Sequence, residues 1–304
     1  MIRLNLFEIA IAVDGQLQGE DCAISSVTTD TRKISPGDLF IALVGASFDG
    51  HQFIEQAQAA GAAAFIVDRP IDSVQPYIVV ADTQQALGAL GAYVKAQVNP
   101  KTVAITGSNG KTTTKEMVAA ILAGEGSVLA TAGNFNNEIG VPLTLLRLTH
   151  EHQFAVIELG ANHKGEIAYT CSLTQPDVAL INNVMPAHIE GFGSIQGVAE
   201  AKSEIFSGLK MHGVAIVNGD SDYLGYWQQH VTEKPLKWFS TQDKHAQVFA
   251  SDIQLDEQGL ASFILHSAQG EQAITLPVPG LHNVSNALAA ASLCLELGVS
   301  LSSI

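Results

Sequence analysis

The sequence predicts an α/β protein in two parts: a small N-terminal α/β domain over residues 1–98 and a larger domain over 99–304. The larger one should carry a mostly parallel sheet with an antiparallel extension. Three observations lead there. Short apolar, β-branched segments alternate with helical stretches from Lys101 onward, which is the pattern of strands covered on both faces. After about residue 236 the segments are separated by turn residues instead, as in an antiparallel meander. Hydrophobic residues make up 47% and charged ones 15% of the 304, enough to fill two cores.

The elements follow in order. LNLFEIAIAV reads as a short amphipathic helix, DLFIALVG as a buried strand and FDGHQFIEQAQAAGA as a helix ended by glycine. AAFIVD and YIVVAD are further strands. TQQALGALGAYVKAQVNP is a helix running to a boundary at Asn99-Pro100. In the second part TVAIT, FAVIELG, VALINNV and VAIVNGD are apolar strands. KEMVAAILAGEG is a helix with Met117, Val118, Ile121 and Leu122 on one face, and SIQGVAEAKSEIFSGL is another. LKWFS, VFASDIQLD, LASFILHS and AITLPVPG form the antiparallel stretch, and HNVSNALAAASLCLELG is the closing helix. There is no internal repeat.

Charge narrows the partners. Fifteen Lys and Arg stand against 30 Asp and Glu, a net charge of −15. Nucleic acids and anionic membrane surfaces would be repelled. An anionic substrate must then be held by backbone amides, helix N-termini and a few cations. Cys22, Cys171 and Cys294 are odd in number and far apart, which argues against a disulfide framework or a zinc site. The N-terminal MIRLNLFEIAIAVDG is a poor signal peptide, and no apolar run approaches about 18 residues. The expectation is a cytoplasmic monomer with no nucleic-acid or membrane partner.

The chemistry starts at VAITGSNGKTTTKEM, residues 103–117. It has the GKT of a phosphate loop, but the usual spacing is G-x-x-x-x-G-K-[ST] and here the glycines, Gly107 and Gly110, are only three apart. The context is nevertheless a strand, a glycine turn and a helix. Gly107, Ser108, Asn109 and Gly110 can turn successive N–H groups inward, and the helix N-terminus adds partial positive charge. Lys111 can reach terminal phosphates, Thr112 can ligate Mg²⁺, and Thr113 follows in the first turn. The loop is read as binding a nucleoside triphosphate.

The shortened loop T-G-S-N-G-K-T resembles that of the Mur ligases and the related folylpolyglutamate synthases. TTDTRKISPGDLFIALVGASFDGHQF, GNFNNEIGVPLTLL, IELGANHKGEI, AHIEGFGS, AKSEIFSGL and PGLHNVSNALAA extend the resemblance, in order, across nearly the whole chain. It implies an N-terminal domain for a uridine-nucleotide substrate and a central ATP domain. A C-terminal Rossmann-like domain also belongs to the family pattern and has no counterpart in these 304 residues.

Other residues gain their roles from position and resemblance together. Glu158 ends FAVIE, at the edge where α/β sheets place ligand groups; alone it could be a solvated carboxylate, and the resemblance makes it a magnesium ligand. His188 follows VALINNV at the same edge and is implied to ligate a second Mg²⁺. Lys202, between Glu200 and Glu204, could be an ordinary helix-surface cation. The resemblance implies instead a carbamylated lysine, a carboxylate-like group that makes Lys202 a further metal ligand and that requires a neutral amine. His282, Asn283 and Asn286 open the last helix as H-N-x-x-N. An amide matches the adenine N6 and N7 edge, although Asn also serves as a helix cap; Asn286 is implied as the adenine contact. Thr31, Ala46, Ser47 and Phe48 are implied at the uridine end, and Asn136 and Asn137 at the pyrophosphate or sugar.

The implied activity is an ATP-dependent ligase joining D-alanyl-D-alanine to UDP-N-acetylmuramoyl-tripeptide through an acyl phosphate, with two Mg²⁺ ions, in peptidoglycan precursor synthesis. Lys111, Lys202, Glu158 and His188 would carry the catalysis. Three alternatives stay open: the tripeptide-forming Mur ligase, a small-molecule kinase sharing only the loop, and a non-catalytic nucleotide-binding module. The chain by itself is expected to bind both nucleotides weakly without joining the peptides.

Overall fold

Asn5 accepts a hydrogen bond from the Glu8 N–H while the Glu8 carboxylate accepts one from the Asn5 N–H, and this capping box starts α1 (Leu6–Ala12). In this computed structural model all residues are described except Ala46, Ala187 and His188, and the side chains of Ile189 and Glu190. The described residues form two compact units, Met1–Asn99 with Glu138–His150, and Pro100–Asn137 with Glu151–Ile304. The first crossing between them falls between Asn99 and Pro100, one residue past the 98/99 boundary expected from the sequence. The segment Glu138–His150, expected with the second domain, joins the first unit: its short helix Gly140–Leu145 packs on the Thr83–Val98 helix.

The first unit is built on a five-stranded sheet. Its strands are β1 (Gln16–Gln18), β2 (Ser26–Thr28), β3 (Asp38–Ile41), β4 (Ala64–Val67) and β5 (Tyr77–Val79), in the order β1-β5-β4-β3-β2. Four are parallel and only β1 runs antiparallel. Every residue of β3 and β4 is buried, as the unbroken apolar runs DLFI and AFIV require. The helix expected over 48–62 is shorter. Phe48–Asp49 pairs with Val44–Gly45, a 3₁₀ turn covers Gly50–Phe53, and α2 is only Ile54–Ala59. The expected strand likewise stops at Ile41. The cause is the fold-back at Gly50: its N–H bonds Leu43 O at 2.7 Å, and a Cβ there would lie 2.8 Å from backbone atoms of Ala42 and Leu43. In α3 (Thr83–Val98), Asp82 caps the start and Asn99, at φ +46°, ends it just before Pro100.

In the second unit nine strands make one sheet: β6 (Lys101–Thr106), β7 (Val128–Ala130), β8 (Phe154–Glu158), β9 (Val178–Ile181), β10 (Val214–Asn218), β11 (Leu236–Ser240), β12 (Val248–Leu255), β13 (Leu260–Ser267) and β14 (Gly270–Pro279). Their order is β7-β8-β6-β9-β10-β11-β12-β13-β14. Pairings are parallel as far as β12 and antiparallel for β12-β13-β14. LKWFS, expected to open the antiparallel stretch, is therefore the corrected element. It pairs parallel with both neighbours, because the connection from β10 contains a helix, Leu224–His230, and returns the chain in the same direction. True reversal waits for the tight turn at Glu257–Gly259.

Four helices matter for the site: α4 (Lys111–Ala123), α5 (Glu166–Thr174), α6 (Ile195–Ser203) and α7 (His282–Glu296). On α4, Val118 and Leu122 are buried and Met117 and Ile121 pack against the same cluster, the one-sided face expected of it. That cluster also takes in Leu288 and Leu293 of α7, so α4 and α7 lie on one side of the sheet. Both leucines are fully buried, each contributing about 1.5–3 kcal/mol of hydrophobic stabilisation. The carboxyl ends of β6, β8 and β9 then share one edge, with the N-terminus of α4 above it. Among the described residues no helix is long and apolar enough to cross a membrane.

Candidate functional site

The loop from Gly107 to Gly110 joins β6 to α4 at that edge. Gly110 sits at φ +74°, a conformation that costs side-chain-bearing residues energy, and a Cβ there would come within 2.5 Å of Asn286 Oδ1 and 2.6 Å of Asn182 Nδ2. At Gly107 a Cβ would sit 3.0 Å from Asn182 Cβ. Glycine is thus favoured at 110 by its positive φ and by the amides packed beneath the loop, and at 107 by a tight approach to Asn182. Above the loop, the first N–H groups of α4 have no intrahelical acceptor and are available to an anion. Lys111 Nζ donates to Gly107 O at 2.9 Å, curling the cation over the loop. Burial pulls the Lys111 pKa down, and the nearby Glu158 partly opposes this.

Glu158, 2% exposed at the end of β8, is held at three points. Thr112 Oγ1 donates to Oε2 at 3.0 Å, Asn136 Nδ2 to Oε1 at 2.8 Å, and the Glu158 N–H to Thr131 Oγ1 at 3.0 Å. The hydroxyl and carboxylate expected to hold Mg²⁺ are therefore adjacent. Hard oxygen donors of this kind suit Mg²⁺, which is usually completed by phosphate and water rather than by a protein cage. No group of three His, Cys, Asp or Glu that could hold a metal ion occurs among the described residues. His188, expected to hold a second ion, lies outside the described residues.

A cavity of about 210 Å³ opens beside the loop, lined by Gly107, Ser108, Lys111, Asn136, Asn137, Gly160, Ala161, Asn162, Glu166 and Lys202. Four expected elements meet here: the loop, its lysine, the Asn136-Asn137 pair and Lys202. Lys202, on the last turn of α6, is 6% exposed, and its amine has no hydrogen-bond or ion-pair partner among the described residues. Glu200 and Glu204, the neighbours in sequence, point elsewhere: Glu200 pairs with Lys164 at 2.7 Å, and Glu204 accepts the Gly165 and Ala168 N–H groups at the start of α5. Burial lowers the Lys202 pKa to about 8, with Lys111 adding repulsion.

Asn283 and Asn286 are 6% and 5% exposed and bond inside the protein. Asn286 Oδ1 accepts from Asn182 Nδ2 at 3.0 Å, and Asn286 Nδ2 donates to Asn283 Oδ1 at 2.9 Å. Asn283 Nδ2 in turn donates to Pro279 O. As placed, this pair braces the underside of the phosphate loop; His282 is exposed beside it. Asn182 and Asn183 were missed in the sequence. Asn182 Nδ2 also donates to Asn109 O at 3.1 Å, and Asn183 exchanges hydrogen bonds with Asn109 N and O at 2.8 and 2.9 Å. The Ser108 N–H adds a bond to Asn183 O at 3.1 Å. Asn182 Oδ1 and Thr106 Oγ1 are buried without a hydrogen-bond partner among the described residues. A polar doublet directly after the apolar VALI was the available signal. Thr131 and Glu166 offered none.

In the first unit a separate cavity of about 490 Å³ is lined by Thr29, Asp30, Thr31, Arg32, Phe40, Phe48, Phe53 and Gln56. Thr31 and Phe48, expected at the uridine end, both line it. Phe48 stacks on Phe53 with ring centroids 5.6 Å apart and planes 17° off parallel, and remains 50% exposed. Arg32 is engaged with Asp30 through Nε and Nη2, both at 2.8 Å, which holds the Asp30 carboxyl at about 2. Ser47 is exposed in the adjoining turn and does not line the cavity, while Ala46 lies outside the described residues.

The Mur ligase middle domain matches residues 105–294, and the Mur ligase family catalytic domain matches residues 23–124. The UDP-N-acetylmuramoyl-tripeptide–D-alanyl-D-alanine ligase of Escherichia coli (strain K12) is 50% identical over 304 residues, covering 100% of this chain and 67% of the relative. That of Bacillus subtilis (strain 168) is 40% identical over 296 residues, 95% of this chain and 63% of the relative. A crystal structure of MurF from Acinetobacter baumannii matches with a TM-score of 0.93 at 44% identity, over 98% of this chain and 66% of that one. A MurF ligase from Thermotoga maritima in complex with ADP matches with a TM-score of 0.81 at 28% identity, over 91% and 65%. The chain spans about two thirds of the length of these relatives. With two family domains covering the phosphate loop, the Glu158 edge and Lys202, the chain belongs to the Mur ligase family.

Proposed function

We propose that the chain carries the nucleotide-binding and phosphoryl-transfer parts of a cytoplasmic, monomeric ATP-dependent ligase that joins D-alanyl-D-alanine to UDP-N-acetylmuramoyl-tripeptide. The observation that carries this reading is the single cavity in which the phosphate loop, Lys111 and Lys202 converge, beside the Thr112–Glu158 pair. The likeness to ligases named for that reaction supports the choice of substrates.

The substrate carboxylate oxygen attacks the γ-phosphorus of ATP, the bond to the ADP oxygen breaks, and an acyl phosphate forms. The amine of D-Ala-D-Ala then attacks the acyl carbon. The tetrahedral intermediate collapses with loss of inorganic phosphate, and the amine proton leaves to solvent or base. The first step places negative charge on the transferring phosphoryl group and the second on the acyl oxygen and the departing phosphate, so the residues serve mainly by position and electrostatics. The N-terminal amides of α4 hold the phosphates, and Lys111 leaves the Gly107 carbonyl to meet the terminal oxygens. Thr112 and Glu158 would hold Mg²⁺, which neutralises phosphate charge when bound; His188 is proposed for a second ion. Lys202 is proposed to carry a carbamate: its amine lacks a partner and its pKa near 8 leaves a neutral fraction for CO₂. Asn286 is proposed to meet adenine by giving up part of its internal bonding, and the Thr31–Phe48 cavity to take the uridine base.

The test is phosphate release from a chain of the relatives' full length. Release should require ATP, the UDP-tripeptide and D-Ala-D-Ala together, with one amide formed per phosphate. Phosphate transfer that proceeds without D-Ala-D-Ala and yields a stable phosphorylated product would identify a kinase instead.

A further inference from the structure

Lys115 is a buried cation that the chemistry above does not use. It lies on α4, three residues after Thr112 and four after Lys111, and is 1% exposed. Its Nζ donates to Thr131 O at 2.8 Å and pairs with Glu116, itself largely exposed, at 2.9 Å. A lysine is rarely this buried, and when it is, its bonds are made inside the protein.

What it bonds to is specific. Thr131 is 2% exposed and follows β7; its Oγ1 accepts the Glu158 N–H, and its own N–H donates to Val156 O of the same strand. Glu158 therefore depends on two elements: α4, through Thr112, and the segment 131–137, through Thr131 and Asn136. The Lys115–Thr131 bond ties these two to one another. It closes a ring running from Thr112 to the Glu158 carboxylate, from the Glu158 N–H to Thr131, and from Thr131 back to α4. Without it, the helix bearing the hydroxyl and the segment bearing Asn136 could shift independently, and the carboxylate would lose its fixed separation from Thr112.

We propose that Lys115 is a positioning residue for Mg²⁺–nucleotide binding, fixing the Glu158 carboxylate against Thr112 by anchoring Thr131 to α4. The proposal rests on Thr112 and Glu158 holding Mg²⁺. Groups that orient metal ligands typically account for about 10–100-fold in metal affinity, so the effect should be measurable in binding alone.

The experiment is calorimetric titration of ADP, in EDTA and in Mg²⁺, into the chain and into Lys115→Met, Thr131→Val, Thr131→Ser and Glu158→Gln, with a thermal melt of each. Lys115→Met should keep the EDTA affinity and lose about tenfold or more of the gain that Mg²⁺ brings. Thr131→Val should do the same while Thr131→Ser, which retains the hydroxyl, keeps the gain. A purely structural lysine would lower the melting temperature and leave the ratio of the two affinities alone. If Glu158→Gln loses the Mg²⁺ gain but folded Lys115→Met retains it, the positioning role is wrong and the metal site stands. If Glu158→Gln retains the gain, the metal site itself is wrong. Should Lys115→Met not fold, the Thr131 pair tests the hydroxyl through which the lysine would act on Glu158: equal gains in Val and Ser would overturn the proposal.

Discussion

The cavity at the phosphate loop and the cavity of the first unit lined by Thr31 and Phe48 are built on opposite plans. The one at the phosphate loop is closed and prearranged: Glu158, Lys115, Thr131, Asn182 and Asn286 are all 5% exposed or less and are bonded to one another or to the loop. The one in the first unit is open: Phe48 is half exposed, and the only cation in its lining is already committed to Asp30. The first suits a group whose charge must be stabilised at fixed distances, since donors that need no reorganisation do this best. The second suits a flat, weakly charged base held by stacking and a few hydroxyls.

The comparison breaks most visibly at Lys111. Lys111→Ala should abolish measurable Mg-ATP binding by calorimetry while circular dichroism and uridine-nucleotide binding remain unchanged. Retained affinity would mean that the loop amides alone hold the phosphates.

Next in size is Lys202. In a full-length enzyme Lys202→Ala should fall to near-background turnover, with partial recovery on adding short carboxylic acids that replace the carbamate. The same residue gives a pH test on the unmodified chain. Its folded pKa, about 8, lies below the ordinary 10.5, so the folded state binds fewer protons between those values and stability should rise with pH across that window. Below pH 8 the buried ammonium costs on the order of 3 kcal/mol. Lys202→Met should therefore be more stable than the parent in CO₂-free buffer at pH 7, and the difference should shrink towards pH 10. Equal denaturation midpoints at both pH values would contradict the buried, unpartnered amine.

Gly110→Ala sharpens the claim that the loop is prearranged. The positive φ and the Asn286 and Asn182 contacts predict a loss of about 1–2 kcal/mol in urea denaturation, together with weaker ATP binding. A neutral substitution would show the brace beneath the loop to be slack. The smallest effect is expected in the open cavity. Phe48→Ala should weaken UDP binding about tenfold, of the order that stacking on an aromatic ring supplies, and leave ATP affinity and stability close to the parent. Unchanged UDP affinity would remove the base from this cavity.

The sequence went furthest where chemistry is local. Strand, glycine turn and helix are consecutive over Lys101–Ala123, so both the loop and its lysine were readable from spacing. It went less far where partners are distant. The helix expected over 48–62 gave way to a fold-back at Gly50, because residues 42–43 approach it too closely for a side chain. LKWFS proved parallel because a helix, not a hairpin, precedes it.

By itself, then, the sequence determined the long apolar strands and the helices at Thr83–Val98, Lys111–Ala123 and His282–Glu296, the glycine turn between strand and helix, the net negative charge and the placing of Glu158 at a strand end. These follow from periodicity, turn residues and charge, which act over a few neighbours. Tertiary structure alone decided the rest. It brought Lys202 to Lys111 across 91 positions (202 − 111), set Asn182 and Asn286 under Gly110, and gave Lys115 an acceptor at Thr131. It also divided GNFNNEIGVPLTLL, leaving Asn136 and Asn137 in the second unit and Gly140–Leu145 against α3 in the first. The physical reason is common to all four: each is a contact between side chains or segments remote in the chain, chosen by the packing of strands and helices. No short-range pattern of residue types encodes such a choice.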